Sequence, residues 1–123
     1  MIFDYQREVK EIKVRRGDIY YINGLYACGS EQMGNRPAVV VSNDNCNASS
    51  PVIEIVYLTA KLRKNHLPTH VEVNSEKRSI ALCEQIHSVS KSRLGRYIGR
   101  ITEQEESQIN YALKISLELN GKK

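Results

Sequence analysis

Apolar and polar positions divide this 123-residue chain into a series of short strand-like runs followed by one helix-like stretch. Ile19-Tyr20-Tyr21-Ile22 lies between Gly17-Asp18 and Asn23-Gly24, and turn residues on both sides predict a strand. Residues 38–42 form a second, β-branched run. The polar stretch 43–51, rich in Asn and Ser and ending in Ser50-Pro51, reads as a loop. Residues 52–59 are apolar at nearly every position, as expected of a strand buried on both faces. Residues 69–73 alternate, the signature of a half-exposed strand. Residues 79–82 continue into 84–89 as a further strand or bent pair, and 97–101 form a short last strand. Ahead of all these, Ile2, Tyr5, Val9 and Ile12 make a ragged helical stripe, so 1–14 reads as a short helix or loose arm.

The end of the chain has a different period. Thr102 followed three residues later by Glu105 is a capping-box pattern, with Glu103, Glu105 and Glu106 at the positive end of the helix dipole. Ile109, Ala112, Leu113, Ser116 and Leu117 then fall on one face of a helix that should close near Gly121. Closely spaced strands followed by one amphipathic helix predict a mainly β fold, a compact barrel with a C-terminal helix packed against it. The chain is long enough for one domain, placed at 15–121, with 1–14 as an N-terminal extension.

Composition narrows the setting. No apolar run approaches the roughly 20 residues that cross a bilayer. The first residues mix charges and have no apolar leader segment, so a cytoplasmic protein is expected. Cys28, Cys46 and Cys83 are odd in number and widely spaced, which fits neither a disulfide framework nor a zinc site. Charge is unevenly placed. Residues 61–100 hold nine Lys/Arg against three acids, a local +6, while the rest hold nine against eleven, a local −2. A basic sector of this kind suits a polyanion.

Candidate chemistry centres on one arginine. There is no phosphate-binding glycine motif of the GxxxxGK[ST] or GxGxxG type, and no metal-ligand spacing. Gly29 and Gly34 punctuate a polar loop that delivers Arg36 to the start of the 38–42 run. Arg36 precedes Pro37, which biases it to extended backbone, and a proline is tolerated at a strand start. A guanidinium fixed there offers a planar fork of donors to a phosphate. Thr59 ends the apolar strand ahead of a basic loop, 61–65, and is a candidate hydroxyl donor, although a threonine there also serves as a strand former or local cap. His70 reads as structural, whereas His87, in the basic sector, is a candidate ligand contact.

Several motifs, in order along the chain, resemble one known family. Arg16-Gly17-Asp18-Ile19-Tyr20, Gly29-Ser30-Glu31-Gln32 with Gly34 and Arg36-Pro37, Ser42-Asn43-Asp44 and Ser50-Pro51 are followed by Leu58-Thr59-Ala60, Leu67-Pro68-Thr69-His70-Val71, Glu84-Gln85-Ile86 and Arg93-Leu94. Together they are similar to the MazF/PemK toxins of bacterial toxin–antitoxin pairs. The resemblance implies an SH3-like (CcdB/PemK/MazF-type) small barrel, a homodimer, and a metal-independent, sequence-specific endoribonuclease acting on single-stranded mRNA. It also implies a cognate antitoxin whose tail occupies the RNA groove, and no cofactor. Arg36 and Thr59 match the family's catalytic pair. Glu31 and Gln85 match positions lining the pocket, with Gln32 beside them. Lys61, Arg63, Lys64 and Asn65 match one part of the RNA-contacting rim, and Gln85, His87 and Ser88 another. His87 stands where relatives often carry arginine, and the family gives residues 1–13 no role. Two other readings share the barrel: a topoisomerase-poisoning toxin, which would need neither Arg36 with Thr59 nor the basic rim, and a plain nucleic-acid-binding barrel working through charge and aromatic stacking.

Overall fold

A computed structural model describes residues 13–24, 35–61 and 67–119 of the chain. Six strands, β1 (Asp18–Ile22), β2 (Arg36–Val40), β3 (Val52–Thr59), β4 (His70–Asn74), β5 (Arg78–Ser90) and β6 (Leu94–Arg100), form one sheet in the order β4-β5-β3-β2-β1-β6. Every neighbouring pair is antiparallel. The sheet curls: Glu76, in the turn between β4 and β5, accepts from the Tyr21 hydroxyl of β1 at 3.0 Å and pairs with Arg96 of β6 at 3.0 Å. One margin of the sheet is thereby tied to the other, as the barrel reading requires.

β3 runs through the middle and buries both faces. Val56 and Leu58 point into a core with Ile19, Val39, Val71, Val73, Ala81 and Cys83. Ile53, Ile55 and Tyr57 alternate to the opposite side and pack with Tyr20, Ile22, Ala38, Val40 and Val89. The continuous apolar run is therefore two interleaved period-2 patterns, each with its own core.

The C-terminal helix α2 (Glu103–Leu117) covers the first core with Ile109 and Ala112, and Leu113 packs beside them. Its start follows the sequence: the Thr102 side chain accepts from the Glu105 backbone N–H, and the Glu105 carboxylate accepts from that of Thr102. Its end does not. The helix stops at Leu117, with Glu118 in the left-handed region at φ 57°, and Leu117 is 53% exposed instead of lying on the buried face. Ile109→Ala should cost about 2–5 kcal/mol of stability by leaving a cavity under the helix. Gln108→Ala, on the exposed side, should stay within about 0.5 kcal/mol. Urea denaturation of the two variants measures the difference.

Three further details correct or settle the sequence reading. The 43–51 loop contains a short helix, α1 (Asp44–Ser49), capped by Asn43, whose side chain accepts from the Cys46 N–H. Asn47 of this helix is buried and donates to the Ser42 carbonyl, while its own carbonyl accepts from the Ser42 hydroxyl. Of the two readings of 79–89, a further strand or a bent pair, the single strand holds, as the long β5. β3 switches register along it, from Val56↔Ile86 to Leu58↔Ala81, so β5 bends where β4 begins to pair with it. The last strand starts earlier than expected, at Leu94, after a 3₁₀ turn over Lys91–Arg93. The proposed helix or arm over residues 1–12 lies outside the described residues.

Candidate active site

β2 begins at Arg36 and pairs with β1 from there, Arg36 lying opposite Ile22. On its other side the ladder to β3 begins only at Ala38↔Tyr57. Pro37 has no N–H to donate, so one residue beyond it is where regular pairing on that side takes hold. The register Ala38↔Tyr57, Val39↔Val56, Val40↔Ile55, carried two residues outward, sets Arg36 across from Thr59. The two predicted catalytic residues thus occupy corresponding positions at the mouth where β2 and β3 part.

Their surroundings differ. The Arg36 guanidinium lies over the Tyr57 ring, 4.0 Å from its centroid. The Tyr57 ring in turn meets the His87 ring of β5 edge-on, with centroids 5.0 Å apart and planes at 64°. Tyr57 is 8% exposed, whereas His87 is exposed. Thr59 is half-buried, and its hydroxyl oxygen accepts the Lys61 N–H at 3.2 Å. The local-cap reading of Thr59 therefore holds for its oxygen, and its O–H remains a donor. Lys61 is exposed two residues beyond.

The remaining candidates are distributed as follows. Gln85 is exposed on β5, in the segment where the β3 pairing changes register. His87 sits within β5 opposite Ile55, on the same face as Tyr57. Ser88 alternates to the other face, where its hydroxyl meets both carboxylate oxygens of Glu54 at 2.8 Å. The structure therefore brings Arg36, Tyr57 and His87 together and turns Ser88 away from them. Glu31, Gln32, Arg63, Lys64 and Asn65 lie outside the described residues, as do Cys28 and the glycines of the 29–34 loop. His70 is structural, as predicted: its Nε2 lies 3.2 Å from Glu84, which also accepts from Thr69, and its Nδ1 faces the Leu67 N–H. Burial pushes the Cys83 thiol up to about 12, so it packs as a small apolar side chain in the core. Among the described residues no three His, Cys, Asp or Glu side chains cluster to hold a metal ion, and no helix is long and apolar enough to cross a membrane.

Sequence reasoning gave Tyr57 no part in the site. It is buried, but beneath the key arginine. The available signal was its spacing, two residues before Thr59 on the same side of the strand.

A curled antiparallel sheet with a helix over one core, carrying an arginine and a threonine toward one strand mouth, has the architecture of a small barrel with a C-terminal helix. Residues 15–117 match the PemK-like, MazF-like toxins of type II toxin–antitoxin systems, and the chain belongs to that family. Endoribonuclease EndoA of Bacillus subtilis (strain 168) is 39% identical over 111 residues, covering 86% of this chain and 96% of that protein. A mycobacterial endoribonuclease in complex with its cognate antitoxin has the same fold at a TM-score of 0.74 and 28% identity, over 86% of this chain and 96% of that one. MazF from Deinococcus radiodurans shares the fold at a TM-score of 0.72 and 19% identity, over 88% of this chain and 99% of that one.

Proposed function

We propose that this chain, an endoribonuclease toxin of a toxin–antitoxin system, cuts single-stranded mRNA at specific sequences, without a metal, using Arg36 and Thr59. The observation that carries the proposal is the Arg36 guanidinium lying over the Tyr57 ring, at the end of β2 where the strand register, carried outward, points to Thr59. The ribose 2′-oxygen attacks the adjacent phosphorus. Its bond to phosphorus forms as the bond to the 5′-oxygen breaks, and the 2′-proton is lost while the 5′-oxygen takes one up. The products are a 2′,3′-cyclic phosphate and a 5′-hydroxyl. Negative charge builds on the non-bridging oxygens during the step. Arg36 offers two donors and a full charge there, and Thr59 offers one donor. Such a site needs only to hold the phosphate in line and stabilise its developing charge.

The exposed part of the site supports RNA as the substrate. Lys61 and His87 flank the pair, and the 61–100 sector carries its local +6. The same charge suits an acidic antitoxin tail, disordered when free and ordered on binding, competing with RNA for the groove. The protein is expected to work in the cytoplasm as a homodimer presenting two such grooves.

Cleavage of a single-stranded RNA should persist in EDTA and should stop when the ribose at the cut site is replaced by 2′-deoxyribose. Gel analysis with end-labelled oligonucleotides reads both outcomes. Loss of activity in EDTA, or cutting of the deoxy substrate, would overturn the 2′-hydroxyl mechanism. Intact RNA under all conditions would return the chain to the topoisomerase-poison or plain binding readings.

A further inference from the structure

We infer that Tyr57 is a positioning residue for Arg36, holding its guanidinium by one flat face so that every N–H stays available to the substrate phosphate. The inference rests on the nuclease reading and extends it to a residue outside the catalytic pair.

The argument starts from the strand register. Tyr57 lies directly opposite Ala38, whose single methyl group covers little of a phenol ring. The diagonal neighbour on β2 is Arg36, and diagonal neighbours on one sheet face are within reach of long side chains. The guanidinium carbon sits 4.0 Å from the ring centroid, well inside the range of a cation–π contact. The ring itself is fixed. It is packed among Tyr20, Ala38, Val40 and Ile55, and His87 meets it edge-on.

The kind of contact matters as much as its presence. Arg16, Arg78, Arg96 and Arg100 each rest against a carboxylate, respectively Glu106, Glu72, Glu76 and Asp18. A carboxylate occupies the donor fork and offsets the charge. Arg36 is in contact with a ring instead, and among the described residues it has no carboxylate partner. Stacking engages the face of the guanidinium and leaves the donors in its plane and its full charge available. A flexible side chain is thereby ordered before substrate arrives, which removes part of the entropy cost of ordering it during binding.

Three variants and one spectroscopic readout test this. Tyr57→Phe keeps the ring and should retain kcat within about twofold. Tyr57→Leu fills the core with an apolar side chain but removes the ring, and should lower kcat about tenfold or more with KM little changed. In an Arg36→Ala background, Tyr57→Leu should cause no further loss of the residual rate, because the residue acts through Arg36. Without RNA, the Arg36 Nε–H resonance of ¹⁵N-labelled protein, assigned by its absence in Arg36→Lys, should show a ring-current shift in wild type and Tyr57→Phe that disappears in Tyr57→Leu. Wild-type kcat in Tyr57→Leu, a further loss in the Arg36→Ala background, or an unshifted Arg36 resonance in wild type would each overturn the positioning role. Wild-type protein that leaves RNA intact would instead remove the nuclease reading and the role with it, even with the ring-current shift present.

Discussion

Arg36→Ala is expected to reduce kcat for RNA cleavage about 10²–10³-fold, a loss of about 2.7–4 kcal/mol of transition-state stabilisation. The residue stands at the first position of β2, with its guanidinium over Tyr57 and no carboxylate partner among the described residues. Removing it should leave the fold intact, because the side chain is half-buried at a strand end and the main chain keeps its pairing with β1. Thermal denaturation should therefore be little changed while single-turnover cleavage collapses. Arg36→Lys should recover little of the rate, since an ammonium is a point charge that cannot reproduce a planar fork. Near-wild-type cleavage by Arg36→Ala would falsify the assignment.

The second large effect is expected at Thr59. Thr59→Val keeps the branched shape and the strand preference while deleting the hydroxyl. The Lys61 N–H that the hydroxyl oxygen now accepts belongs to an exposed residue, so water can take the oxygen's place. The variant should fold and bind a non-cleavable RNA with nearly unchanged affinity, yet cleave about 10²-fold more slowly. Thr59→Ser should keep most of the rate. Equal rates for the Val and Ser variants would reduce Thr59 to a strand residue that caps its own loop.

Legibility from sequence followed how local each determinant is. β3 could be read from end to end because its apolar run is bounded by Pro51 and by the polar residues after Thr59. The start of α2 was equally plain, since a capping box is complete within four residues. α1 was hidden because Asn and Ser are poor helix formers, and the local Asn47–Ser42 hydrogen bonds that support it go with the burial of Asn47, which a polar stretch does not signal. The end of α2 was misplaced because Glu118 takes up a left-handed turn that a glutamate does not announce. In the site, motif and chemistry singled out Arg36 and Thr59 as candidates, and the register sets both toward one strand mouth. The neighbourhood of Tyr57 was not legible, because a cross-strand diagonal depends on a register that one sequence does not display. The opposite orientations of His87 and Ser88 follow from the alternation of neighbours along β5, and the register decides which of them faces Tyr57.

The position of Pro37 separates two demands that often conflict. Inward of it, β2 is hydrogen-bonded on both sides and its side chains are sealed in two cores. Outward of it, the chain is released from β3, and the residues that would meet substrate stand on backbone whose rearrangement breaks no β2–β3 ladder bond. Amide hydrogens at 38–40 and 53–58 should therefore exchange only when the whole domain unfolds, while those at 60 and 61 exchange by local opening. Mutations that redraw the mouth can then accumulate without drawing on the stability of the barrel. A lineage of such proteins can vary the residues of its mouth while inheriting the same scaffold.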